Sequence, residues 1–188
     1  TEDYRLIRRS LERPVYKEKL RLRSYAQASP ESTVFAELKK KYKSVVYKRR
    51  LALPEAAARA LLAGEVSGVP DSQIHRDYFL SYYQTLRPVL YLSYQREAYC
   101  QKGGDLRVTF DEQILCRRQA LSLQAGTGGI PILPKEQVLM EIKCSGGIPL
   151  WMTHALSAER LYKTSFSKYG TAYQNILFPA QKEAVVYA

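Results

Sequence analysis

Long apolar runs are missing from this sequence. No uncharged stretch approaches the roughly 20 residues a helix needs to cross a bilayer, and the opening TEDYRLIRRS lacks the apolar core of a signal peptide. The expectation is a chain with no membrane segment, placed in the cytoplasm. Cysteine is scarce as well: Cys100, Cys116 and Cys144 are odd in number, far apart and without a CxxC pair. That argues against a disulfide framework or a zinc site and fits a reducing compartment. The two histidines, His75 and His154, have no ligand spacing. No RNP, KH or zinc-knuckle pattern accompanies the 15 tyrosines, so no specific nucleic-acid partner is expected. GTGG at 126–129 lacks the Lys-Ser/Thr of a phosphate-binding loop. The last shortage is acid: 18 Asp and Glu stand against 29 Lys and Arg, a formal charge of +11 that implies an anionic partner.

What is present suits one globular domain of 188 residues, 46% of them hydrophobic. Period-two alternation, or β-branched and aromatic composition, marks at least six strands. EKLRLRSY (18–25) sets Lys19, Arg21 and Arg23 against Leu20 and Leu22. TVFAELKKK (33–41) puts Phe35, Glu37, Lys39 and Lys41 on one face, and SVVYKRRLAL (44–53) groups Val46, Lys48 and Arg50. PVLYLSYQREAYC (88–100) carries Arg96, and DLRVTFDEQI (105–114) sets Arg107, Thr109 and Asp111 against Leu106, Val108 and Phe110. VLMEIKCS (138–145) sets Glu141, Lys143 and Ser145 against Met140, Ile142 and Cys144. Helices are expected over PEAAARALLAG (54–64), from Asp71 to about Thr85, and twice after Pro149, over LWMTHALSAERLY and KYGTAYQNIL. Trp151 and Met152 would pack the first of these last two inward. QAGTGGIPILPKE (124–136) reads as a flexible loop.

One basic strand face is ordinary for a half-solvated antiparallel strand. Six need a shared reason. Closing the strands into a barrel would turn the apolar faces outward against the helices and line the lumen with cations. Like charges crowded there repel and lose water, which makes sense only if an anion occupies the space. A phosphate chain suits it, because guanidinium groups donate paired hydrogen bonds to phosphate oxygens and lysines act as point charges. Glu37 and Glu141 share faces with Lys39 and Lys143, a placement that suits a divalent metal bridging carboxylate and phosphate. Lys40, Lys41, Lys43 and Arg49 read as surface charges.

The ordered succession KLRLRSY, FAELKKK, VVYKRRLAL, LSYQREAY, DLRVTFD, LMEIKCSGGIPLW and SFSKY, from about Tyr4 to Tyr173, resembles the VTC domain. That is the catalytic domain of polyphosphate polymerases, within the triphosphate tunnel metalloenzyme (CYTH-like) superfamily. The resemblance implies an α+β fold: an antiparallel β-barrel tunnel, eight-stranded when complete, with helices packed outside. It implies a phosphotransferase that passes the terminal phosphoryl group of ATP to a growing inorganic polyphosphate chain, with Mn²⁺ or Mg²⁺ as cofactor. Position by position, it assigns phosphate and nucleotide binding to Arg21, Arg23, Lys39, Lys48, Arg50, Arg96, Arg107, Lys143, Ser167 and Lys168. Electrostatic stabilisation of the transfer would fall to Arg21, Arg23, Arg96, Arg107 and Lys143. Glu141 would bind the metal, with Glu37 a weaker candidate.

Residues 1–175 would form the tunnel domain and 176–188 a tail, with a homodimer left open. The superfamily's first strand, with its ExExK-type pattern, has no counterpart ahead of TEDYRLIRRS, so the expected barrel is incomplete at its amino terminus. Two rivals remain: a tunnel-fold triphosphatase, and a non-catalytic module that binds polyphosphate or inositol polyphosphate.

Overall fold

A computed structural model of the chain describes residues 3–12, 14–63, 83 and 86–179. All six expected strands are among them. The chain divides into two compact units, Thr1–Tyr91 with Arg117–Thr127, and Leu92–Cys116 with Gly128–Ala188.

In the first unit β1 (Tyr16–Arg23), β2 (Thr33–Tyr42) and β3 (Val45–Pro54) form an antiparallel sheet in that order. Only Lys43 and Ser44 separate β2 from β3, and Lys43 takes a φ of 52°, the left-handed conformation that tight hairpins favour at this place. Alternation along the strands gives the sheet two unlike faces. Val34, Ala36 and Leu38, with Leu20, Leu22, Leu51 and Leu53 beside them, make the apolar one. Helix α2 (Glu55–Ala63) covers it with Ala58 and Leu61, three positions apart on one helical stripe. A short helix the sequence reading did not expect, α1 (Arg5–Leu11), buries Ile7 and packs Leu6 on the same cluster. Its two apolar anchors are too few to show a period.

One carboxylate sits below the apolar surface. Glu18 is buried, accepts hydrogen bonds from the hydroxyls of Tyr16 and Tyr83, and pairs with the Lys40 ammonium at 3.1 Å. Lys40, expected as a surface charge, neutralises it. Residues 117–127 are held by Arg117, whose guanidinium lies 3.6 Å from the centre of the Tyr91 ring and donates to the carbonyls of Ala120 (3.0 Å), Ser122 (3.1 Å) and Gly126 (2.8 Å). The first part of the expected flexible loop is thereby wrapped around one side chain, and Leu123 packs on the core.

In the second unit β4 (Tyr91–Cys100) is hydrogen-bonded to β5 (Arg107–Arg117). β5 also pairs antiparallel with β6 (Ile130–Pro131) through Leu115 and Cys116, and with β7 (Leu139–Lys143) through Arg107 to Asp111. The change of partner falls at Gln113, whose φ of 47° interrupts the ladder. Helix α3 (Leu150–Ala158) lays Met152 and Leu156, four apart, on Leu106, Val108, Phe110, Met140, Ile142 and Cys144. Trp151 does not join them. It is 63% exposed, because neighbouring helix positions point about 100° apart and only one of the pair can face the sheet. Helix α4 (Lys168–Ala172) opens on Ser167 and runs into a π-helical turn, Tyr173–Leu177, that buries Leu177 past the expected domain end at 175.

The architecture is α+β with antiparallel sheets, none of them closed into a barrel among the described strands. Among the described residues one sheet has three strands and the other four. The helix expected from Asp71, with His75 in it, and the stop at Gly64 lie outside the described residues. No described helix is long and apolar enough to cross a membrane.

Candidate functional site

The polar face of the β1–β2–β3 sheet is built by register. Residues directly opposite one another form the ranks Lys17–Lys41–Val46, Lys19–Lys39–Lys48, Arg21–Glu37–Arg50 and Arg23–Phe35–Ala52. Side chains within a rank start about 5 Å apart, close enough to feel one another's charge. Arg21, Arg23, Lys39, Lys48 and Arg50 therefore share one face, joined by Lys17, Lys19 and Lys41, which the assignments had left out.

Glu37 is the carboxylate of these ranks, and its side chain is 2% exposed. Arg21 donates Nε and Nη2 to Oε2, each at 2.5 Å. Arg50 donates Nε (2.8 Å) and Nη2 (2.5 Å) to Oε1, and Lys48 Nζ stands 3.4 Å from the same oxygen. Burial pushes the Glu37 pKa up, but the Arg21 and Arg50 hydrogen bonds and the surrounding charge outweigh it and hold the group at about 2. In the neighbouring rank no carboxylate is present, and the pKa of Lys19 is lowered first by burial, then by the charges of Lys17, Lys39 and Arg21. Aromatic rings close one end of the face. The Arg23 guanidinium lies over Tyr25 (4.6 Å), Tyr25 meets Phe35 edge-on (5.6 Å), and Arg50 lies over Phe35 (4.7 Å).

The second unit carries its own polar face, opposite the one α3 covers. Across β5 and β7, Arg107 stands opposite Lys143, Thr109 opposite Glu141 and Asp111 opposite Leu139. Glu141 and Lys143 form a half-exposed pair at 3.1 Å. Asp111, 1% exposed, accepts Nε of Arg96 on Oδ1 (2.5 Å) and Nη2 on Oδ2 (2.6 Å), and the Lys168 ammonium bonds to Oδ2 as well. The Tyr94 ring flanks both cations, its centre 5.1 Å from the Arg96 guanidinium and 4.6 Å from Lys168 Nζ. Burial works to raise the Asp111 pKa, and the hydrogen bonds and charges of Arg96 and Lys168 overcome it, leaving the carboxyl below its ordinary range. The charge of Glu141 also reaches Arg96. Among the described residues the buried Thr109 hydroxyl has no hydrogen-bond partner. Ser167 caps α4: its hydroxyl accepts Gly170 N–H at 3.2 Å, which sets Lys168 as the first residue of the helix.

Arg96, Arg107, Glu141, Lys143 and Lys168 are thus brought to one unit, and Ser167 orients the last of them. The residue the sequence reading passed over is Asp111. Its parity with Arg107 was visible, but its partner Lys168 lies 57 residues further on and no local pattern joins the two.

A divalent cation needs oxygens with free lone pairs. Glu37 has both oxygens engaged by cations, while Glu141 is half exposed with one lysine beside it. Among the described residues no three His, Cys, Asp or Glu side chains gather as a metal centre. This donor set fits a cation held by one carboxylate together with oxygens of a bound phosphate, a common way of holding Mg²⁺. No curated protein matches the chain. A family described as VTC domain matches residues 1–177, and the CYTH-like placement is consistent with it.

Proposed function

Because the chain belongs to the VTC domain family, we propose that it is a phosphotransferase domain that moves the terminal phosphoryl group of ATP onto the end of an inorganic polyphosphate chain and releases ADP. One observation carries the reading: the rank Lys19–Lys39–Lys48 sets three ammonium groups side by side with no carboxylate in the rank, next to a rank whose one carboxylate is already engaged by Arg21 and Arg50. Such a face is favourable when a chain of phosphates lies along it.

In the transfer, a terminal oxygen of the acceptor bonds to the γ-phosphorus while the bond from that phosphorus to the β–γ bridging oxygen breaks, and the electron pair leaves on ADP. The transition state is loose and its charge is spread over non-bridging oxygens, so alignment and neutralisation do the catalytic work. Arg21, Arg23, Lys39, Lys48 and Arg50 would hold phosphates on one face; Arg96, Arg107, Lys143 and Lys168 would do so on the other. Glu141, with substrate oxygens, would hold Mn²⁺ or Mg²⁺, which supplies further positive charge. We assign this role to Glu141 rather than Glu37. The tunnel implied by the resemblance belongs to the same proposal.

Incubation with ATP and Mn²⁺, followed by sizing of products on a gel stained for polyphosphate, tests the reading. A ladder that disappears in Lys39→Ala and Arg107→Ala supports it. Free phosphate without chains points to a triphosphatase. Tripolyphosphate binding without turnover points to a binding module.

A further inference from the structure

Asp111 poses a problem that the proposed function does not solve. A site meant only to attract phosphate gains nothing from a carboxylate among its cations, since that charge repels the ligand. Yet Asp111 is fully buried and grips two of those cations, Arg96 from the adjacent strand and Lys168 from the start of α4. Bonding to Asp111 consumes only part of what they can donate. Arg96 spends Nε and one Nη2 proton, leaving three N–H groups, and Lys168 spends one of its three ammonium protons. Both side chains keep a small exposed fraction, 22% and 18%, through which the rest can be reached.

We infer that Asp111 is a positioning residue: its buried carboxylate fixes the Arg96 guanidinium and the Lys168 ammonium as a single two-cation clamp that seats one phosphate group. The inference rests on the phosphate-transfer reading for what the clamp holds. The clamp itself is a property of the unliganded protein. Without Asp111, the mostly buried arginine and lysine would repel each other and neither would be held in one place. With it, the ordering entropy of two long side chains is spent at folding rather than at binding. The Tyr94 ring, in contact with both cations, and the Ser167 cap at the start of α4 act in the same direction.

The ligand-free arm of the test uses ¹⁵N-detected signals of arginine Nε in the wild-type chain. Arg96 Nε–H is expected to be sharp and protected from exchange before any phosphate is added, and to remain so after tripolyphosphate is added. An Arg96 signal broadened by exchange in the free protein overturns the clamp, whether or not the chain turns over ATP. The second arm titrates tripolyphosphate into wild type, Arg96→Ala, Lys168→Ala and the double variant, each with and without Asp111→Asn. In the wild-type background the two losses are expected to be strongly non-additive, the second weakening binding by less than about twofold once the first is made. In the Asp111→Asn background they should multiply independently. With ATP, Asp111→Asn should lower kcat by about tenfold or more and raise KM, because the two side chains must then be ordered at binding. Tighter tripolyphosphate binding with unchanged kcat would make Asp111 a bystander charge and overturn the inference. If Asp111→Asn does not fold, the Arg96 signal decides. No binding of tripolyphosphate by the wild type would sink the phosphate-transfer reading instead.

Discussion

Glu37 and Asp111 are both carboxylates sunk in a sheet face and surrounded by cations, but they are surrounded differently. Glu37 draws Arg21 and Arg50 from the strands on either side, its direct partners in register, with Lys48 one rank over. Arg21 and Lys48 keep about half of their side-chain surface in water, 55% and 48%. Asp111 has two partners in place of three, both mostly buried, one of them brought from a distant helix. The first cluster is a product of local pairing and can rehydrate if broken. The second depends on tertiary structure and has nowhere to relax.

The sharpest way to test that contrast is to neutralise each carboxylate. Asp111→Asn is expected to cost about 4 kcal/mol of folding stability, because it strands two buried cations, read as a shift in the urea midpoint. Glu37→Gln should cost less, about 2 kcal/mol, since its exposed partners regain water. A larger loss at Glu37 than at Asp111 would reverse the comparison.

Acid separates the clusters in another way. A group whose folded pKa is depressed contributes in full above its unfolded pKa and loses that contribution as pH falls toward the folded value. For Glu37 the window runs from 4.5 down to about 2, and for Asp111 it opens lower, from 3.8 downward. Wild type should therefore lose its advantage over Glu37→Gln between about pH 4.5 and pH 2, by up to about 1.4 kcal/mol per pH unit. A gap between the two proteins that stays constant over that range would show that Glu37 is not held as described.

Smaller effects distinguish cations that have an acid from those that do not. Lys19→Met should raise the stability of the ligand-free chain by about 0.5 kcal/mol, because it removes like-charge repulsion within its rank. The same change should weaken tripolyphosphate binding several-fold in calorimetry. Stability and binding falling together would place Lys19 in the packing instead. Thr109→Val, which exchanges a buried hydroxyl without a partner among the described residues for a methyl of similar size, should gain about 1 kcal/mol or change nothing. A clear loss in thermal melting would reveal a hydrogen bond at that hydroxyl.

Much of the fold was legible because alternation is a local signal. The leucines of KLRLR and the residues Val34, Ala36 and Leu38 announced which face would be covered, and the cations between them followed by parity. Helix α2 was marked by its alanines and by Pro54. The chain gave no such signal for α1, whose seven residues carry too few apolar anchors, nor for the loop wound around Arg117, which depends on carbonyl groups that every residue possesses. The candidate site divides in the same way. Arg21, Lys39, Lys48 and Arg50 could be grouped from strand pattern alone, whereas Lys40 looked like surface and turned out to answer a buried Glu18. Glu37 showed its acidity but not its neighbours, and the arginine on each side of it comes from the register of three strands. Asp111 required two segments 57 residues apart to be seen together.

The Arg21–Glu37–Arg50 rank also imposes an order on how such a protein can change by descent. If Arg21 is lost first, Glu37 still has Arg50 and Lys48, and the intermediate folds with a satisfied acid. If Glu37 is lost first, three cations are left pressing on one another and the intermediate is impaired before any compensating change arrives. Lineages in which this basic face falls out of use should therefore shed the bases ahead of the acid, and a descendant with an uncharged residue at position 21 and glutamate still at 37 is the expected fossil of that route.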